Sequence, residues 1–175
     1  FAIIGASFGG TVALEIAALA PERVSRLDLL CAAASIHPMT QAWRAIQREI
    51  LELAVDAGLG SRGVDIARRL AMTTYRTPEE FAQRFHPGGE NGSVERYLQA
   101  RGGAYGHTVT PERYLSRLDA MQSPAQGLDR ITAPTRLLAI RSDRLVPPDE
   151  VHDTASALTG TRAEVVEIDS LYGHD

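Results

Sequence analysis

Short apolar runs alternate with amphipathic stretches at the two ends of the chain, whereas helical spacing alone fills its middle. Phe1 to Ile4 is such a run, stopped by Gly5, and reads as a strand buried on both faces of a sheet. Beyond the Gly5–Gly10 turn, Val12, Leu14, Ile16, Ala17 and Leu19 fall in a helical pattern that Pro21 ends. Leu27 to Ala33 reads as a second buried strand. Strand, helix and strand in this order predict the βαβ unit of a parallel sheet.

Near His37 the character changes. Trp43, Ile46, Ile50, Leu51 and Leu53 recur at helical spacing, and a glycine-rich break follows at Gly58–Gly63. Helices are expected over 64–75, 78–85, 94–104 and 111–121; Pro78 and Pro111 each follow a threonine, as at a capped helix start. His86–Ser93 is the most loop-like stretch. Strands return at Thr135–Ile140 and Glu164–Ile168, with a helix after Pro148 between them. The expected organisation is an α/β core over 1–36, an all-helical lid insertion over 37–123, and the rest of the core over 124–175.

Composition narrows the chemistry more than the fold. The 175 residues are 44% hydrophobic and 23% charged, the balance of a folded globular chain. A net charge of -4 without a basic block points away from nucleic acid and anionic membranes as partners. No apolar run approaches the roughly 20 residues that span a bilayer. All 18 Lys+Arg residues are Arg, which removes lysine Schiff-base chemistry and the Walker phosphate loop. Cys31 stands alone, so no internal disulfide or paired C-x-x-C zinc site is expected, and a reducing, cytoplasmic location fits. Hydroxyl, carboxylate and imidazole chemistry remain.

Gly5-Ala6-Ser7-Phe8-Gly9 matches G-x-S-x-G and lies between a predicted strand and a predicted helix, the context of a nucleophile elbow. Small residues two positions either side of Ser7 let strand and helix pass closely. The helix start places positive potential beneath the serine, and the Phe8 backbone N–H is available to a developing oxyanion. A glycine-rich phosphate turn is the competing reading of the motif alone. A serine hydroxyl needs a base and the base an acid, in the chain order Ser, Asp, His for this architecture. Asp143 follows the Thr135–Ile140 strand and His174 follows the Glu164–Ile168 strand, each beyond a C-terminal strand edge, where open α/β sheets gather their sites. His37, His86 and His107 precede Asp143 and read as surface or structural residues. His152 reads as a solvated helix side chain, Asp149 as a first-turn helix acid and Asp169 as a turn residue.

With these residues in place the chain resembles the homoserine O-acyltransferases of the α/β-hydrolase superfamily. The likeness runs through the elbow, the block Ala67–Arg76, Tyr114-Leu115 with Leu118–Met121, Ser142–Pro148 and Tyr172–Asp175. It implies a partial α/β-hydrolase fold, with Ser7 as acylated nucleophile, Asp143 as acid and His174 as base. It further implies that Arg68 and Tyr75 of the lid meet the substrate and that Asp175 pairs with its α-ammonium group. A guanidinium fork suits an amino-acid carboxylate. Arg69 and Arg76 read as ordinary solvated helix residues, and Trp43 as lid packing.

The implied substrates are acyl-CoA, as co-substrate, and homoserine, in methionine biosynthesis, with no bound cofactor, no metal and a homodimer as the possible full-length assembly. Gly-Ala-Ser-Phe-Gly-Gly replaces the Gly-Gly-Ser-Met-Gly-Gly of many acetyl-transferring members. The His37-Pro38 and Trp43–Arg48 blocks resemble a branch associated with succinyl transfer. Acetyl and succinyl therefore both stand as donors, and serine stands beside homoserine as acceptor. The alternatives are a hydrolase of the same triad (esterase, thioesterase or amidase) and a binding module without activity. The resemblance also implies upstream strands carrying a second oxyanion donor and a closing helix beyond residue 175, so this piece alone is expected to be inactive and poorly behaved.

Overall fold

The computed structural model describes residues 1–86 and 92–175; of the loop expected at His86–Ser93, residues 87–91 lie outside the described residues. Two compact units form, one from Phe1–His37 with Ser123–His174 and the other from Pro38–Gln122 with Asp175. Along the chain come β1 (Ala2–Ala6), α1 (Phe8–Leu19) and β2 (Arg26–Leu30). Five helices follow: α2 (Pro38–Asp56), α3 (Gly60–Tyr75), α4 (Pro78–Arg84), α5 (Val94–Gly106) and α6 (Pro111–Ala120). The chain then completes β3 (Thr135–Ile140), α7 (Pro148–Ala157) and β4 (Ala163–Ile168). Among the described residues no helix is long and apolar enough to cross a membrane.

In the first unit all four strands are parallel, in the order β1-β2-β3-β4. One sheet face carries Ile3, Leu27, Leu29, Leu137, Ala139 and Val165 into a core with Ala13, Leu14, Ala17 and Val151 from α1 and α7. Burying each of the large aliphatic side chains contributes about 1.5–3 kcal/mol. The inward stripe of α1 is Gly10, Ala13, Leu14, Ala17 and Ala18, spaced three and four residues apart. Val12, Ile16 and Leu19, which the sequence pattern groups with them, are exposed.

Two expectations fail here, each for a physical reason. Within the described residues β1 is not buried on both faces: α1 and α7 both pack on the face that carries Ile3, and Ile4 on the opposite face is 74% exposed. The second strand ends at Leu30 rather than Ala33, because Cys31 takes φ 48 and breaks the extended run. Ala32, Ala33 and Ala34 are apolar because their loop is buried; its polar backbone is satisfied by Ala34 N–H to Thr154 Oγ1 at 2.8 Å and Ala125 N–H to Ala34 O at 2.9 Å.

The second unit is helical. Leu51, Val64, Ala67, Val109, Tyr114 and Leu118 form its core. Thr77 and Thr110 cap α4 and α6, accepting from Glu80 N–H at 3.0 Å and Arg113 N–H at 3.3 Å, each with a proline at the first helical position. The glycine-rich break is shorter than expected, because α3 already starts at Gly60. Gly63 is instead a packing residue, since a Cβ there would lie 2.5 Å from the Ala54 Cβ of α2. Asp65 of α3 is buried between Arg62 and Arg69, both of which pair with it.

Candidate active site

The junction of β1 and α1 holds Ser7 at φ 51 and ψ -127, a conformation that costs a non-glycine residue about 1–3 kcal/mol. Its N–H continues the β1–β2 ladder to Leu30 O at 2.8 Å, and its carbonyl accepts from Gly10 N–H at 2.9 Å. The backbone is thus held on both sides of the strained residue. At Gly5 an added Cβ would sit 2.5 Å from Gly9 O, so the flanking glycine is required there. On the helix side the requirement falls on Gly10, whose Cβ would meet the Ala32 methyl at 2.3 Å, and not on Gly9, which has nothing within 4 Å. Gly10 is buried against Gly5 and Ala32, while Gly9 is exposed.

Three strand ends supply three side chains. Ser7 directly follows β1, Asp143 lies three residues past β3, and His174 lies six past β4. With β2 between them, Ser7 and Asp143 stand two strand spacings apart, about 10 Å. The imidazole of His174 fills that gap: Nε2 lies 2.7 Å from Ser7 Oγ, and Nδ1 lies 2.7 Å from Asp143 Oδ2. Gly173, at φ 72, makes the turn that presents the ring. The other carboxylate oxygen of Asp143 accepts from Leu145 N–H at 2.8 Å and Val146 N–H at 2.9 Å. Asp143 is buried, at 2% exposure, and fully partnered, so its carboxylate has one orientation. A carboxylate at Nδ1 selects the tautomer that leaves Nε2 as acceptor for the Ser7 hydroxyl.

The helix start lies on the same side as Ser7. Phe8 opens α1, and helix geometry gives its N–H no acceptor within the helix. Nearby, burial first and the Asp143 charge second push the Cys31 thiol up to about 11. Among the described residues no three His, Cys, Asp or Glu side chains gather as a metal would require.

In the helical unit, Arg68 and Tyr75 are brought together, with Arg68 Nη1 donating to Tyr75 Oη at 3.4 Å. A residue without a sequence signal joins them: the Arg68 guanidinium lies 5.3 Å from the Tyr75 ring centroid and 4.6 Å from that of Tyr105. Tyr105 comes from a different helix, so neither motif nor periodicity connects it to Arg68. Asp175 pairs with Arg76 at 2.6 Å. Arg69 and Arg76 are not solvated as expected; Arg69 pairs with Asp65, and Arg76 with both Glu80 and Asp175. His152 is half-exposed but engaged, with Nε2 2.7 Å from Glu167 Oε1. Asp149 lies in the first turn of α7, Asp169 is exposed beside Arg141, and His107 caps the end of α5.

A parallel sheet with a strained serine, a histidine and an aspartate at its C-terminal edge is the arrangement of one fold class. The chain belongs to the alpha/beta hydrolase fold family, which it matches over residues 1–174. It is 33% identical to a homoserine O-succinyltransferase of Xanthomonas campestris over 98% of this chain and 48% of that protein. It is 35% identical to a homoserine O-acetyltransferase of Thermus thermophilus, over 99% of this chain and 48% of the relative. The chain thus spans about half the length of the curated relatives it matches. Its backbone superposes on the crystal structure of esterase E22 with a TM-score of 0.86, at 20% identity, covering 99% of this chain and 55% of the esterase.

Proposed function

We propose that the protein carrying these residues is a homoserine O-acyltransferase of the cytoplasm that takes its acyl group from acyl-CoA, as a step of methionine biosynthesis. The observation that carries this reading is the double engagement of His174 with Ser7 and Asp143 at 2.7 Å each. The named acyltransferase relatives turn that general hydrolytic geometry towards transfer.

In this mechanism Ser7 Oγ attacks the thioester carbonyl carbon while His174 Nε2 accepts its proton. Asp143 stabilises the imidazolium and holds the ring. The oxyanion is met by the Phe8 N–H at the start of α1. Collapse breaks the C–S bond, the proton returns from His174 to the CoA sulfur, and the acyl group stays on Ser7. The homoserine γ-hydroxyl then gives its proton to His174 and attacks the acyl carbon, and Ser7 leaves with that proton restored. Arg68 binds the α-carboxylate with Tyr75 beside it, and Asp175, held by Arg76, takes the α-ammonium. The scheme calls on no metal and no prosthetic group.

The relatives' names divide between succinyl and acetyl at nearly equal identity, so the donor is decided by assay. The full-length protein is supplied with acetyl-CoA or succinyl-CoA and with homoserine, serine or neither, and CoA release is followed. The expected result is one stoichiometric burst without acceptor and steady turnover with homoserine. Release at full rate without any amino acid would make the protein a thioesterase and overturn the proposal.

A further inference from the structure

Within the helical unit Arg68 is set apart from its neighbours by what surrounds it. Arg62 and Arg69, on the same helix, both pair with the buried Asp65. Arg68 has no carboxylate partner among the described residues; its guanidinium lies instead against the Tyr75 and Tyr105 rings, 5.3 and 4.6 Å from their centroids. Aromatic faces hold a cation in place without neutralising it, so the fork keeps its charge for an anion.

Of the two rings, Tyr105 is the closer to the guanidinium, and it is anchored on its far side. It sits in the last turn of α5, and its hydroxyl accepts from Arg117 Nη1 at 2.6 Å. Its ring meets Tyr114 edge to face, with centroids 5.6 Å apart and planes at 71°. Tyr114 is itself buried, and its hydroxyl donates to Gln47 Oε1 at 3.0 Å. A continuous set of contacts therefore runs from α2 through α6 and α5 to the guanidinium.

We infer that Tyr105 is a positioning residue that fixes the plane of Arg68 for bidentate capture of the acceptor's α-carboxylate. This rests on the reading of Arg68 as the carboxylate-binding residue. Fixing the fork before substrate arrives removes an ordering cost from acceptor binding and leaves the acylation of Ser7 untouched.

The test compares Y105L, Y105F, R68M and the double variant R68M/Y105L in the full-length protein. Y105L should raise the KM for homoserine about tenfold while the burst of CoA release without acceptor keeps its amplitude and rate. Y105F keeps the ring face and should restore a KM near that of the parent. In the double variant KM should equal that of R68M alone, because Tyr105 acts through Arg68. An unchanged KM in Y105L alongside a raised one in R68M overturns the role of Tyr105. So does an additive double variant, or loss of the burst in Y105L. An unchanged KM in R68M instead overturns the reading of Arg68 itself.

Discussion

Ser7 and Cys31 leave neighbouring parallel strands by the same backbone step. Ser7 follows β1 at φ 51 and donates its N–H to Leu30 O at 2.8 Å; Cys31 follows β2 at φ 48 and donates to Leu138 O at 2.9 Å. Among the described residues these are the two non-glycine residues with positive φ. Each takes a last rung on the next strand and then turns sharply away. Only the serine is placed against an imidazole, whereas the cysteine ends in a buried turn.

The strain at Ser7 separates two substitutions that both remove the hydroxyl. Ser7→Ala keeps a Cβ at φ 51, whereas Ser7→Gly relieves it. Both variants should lose acyl transfer by about a thousandfold or more and fail to take a fluorophosphonate label. In urea denaturation Ser7→Gly should be more stable than Ser7→Ala by about 1 kcal/mol. Equal midpoints would show that the strain at this site does not exceed the extra folding entropy that glycine costs.

Cys31 should behave as an inert thiol. Burial and the Asp143 charge raise it from 9.0 to about 11, so it stays protonated at pH 8 in the folded chain. Iodoacetamide at that pH should modify it only after unfolding. The stability effect has a definite sign. Between pH 9 and pH 11 the unfolded chain releases a proton that the folded one keeps, so the contribution is full below that window and is lost as pH rises through it. Cys31→Ala should remove this part of the alkaline slope in a pH series of denaturation midpoints.

Asp143→Asn should separate geometry from chemistry. One Asp143 oxygen serves Leu145 and Val146 N–H while the other faces His174, and an asparagine has only one oxygen to offer. With that oxygen kept in the turn, its NH₂ faces Nδ1 and imposes the wrong tautomer on His174. Acylation should fall about ten-thousandfold with little change in stability. Asp143→Ala should also lose the turn, at a cost of about 1–3 kcal/mol in denaturant. Near-normal acylation in Asp143→Asn would remove Asp143 from the mechanism.

The two helix-side glycines of the elbow should differ. Gly10→Ala drives a Cβ to 2.3 Å from the Ala32 methyl, and overpacking of this kind costs about 1–3 kcal/mol. Gly9→Ala meets nothing within 4 Å and should change the unfolding midpoint little. A larger loss at Gly9 than at Gly10 would contradict the packing described.

Much of this protein is determined by local sequence. Pro78 and Pro111 behind threonines start α4 and α6, and apolar runs place β1, β3 and β4 within a few residues. The order Ser7, Asp143, His174 follows the succession of strands, because each residue lies just past one and parallel strands gather such ends at one edge.

Other features belong to the tertiary structure alone, since they depend on which surfaces meet. The apolar run through Ala33 cannot reveal that its end is a buried loop rather than strand. The spacing of Gly9 and Gly10 cannot tell which of them faces Ala32. Tyr105 reaches Arg68 only because α5 packs on α3, and His174 reaches both partners only because β2 lies between β1 and β3 at the right width. Periodicity fixes which side of its own element a residue occupies, whereas contact across elements is decided by packing.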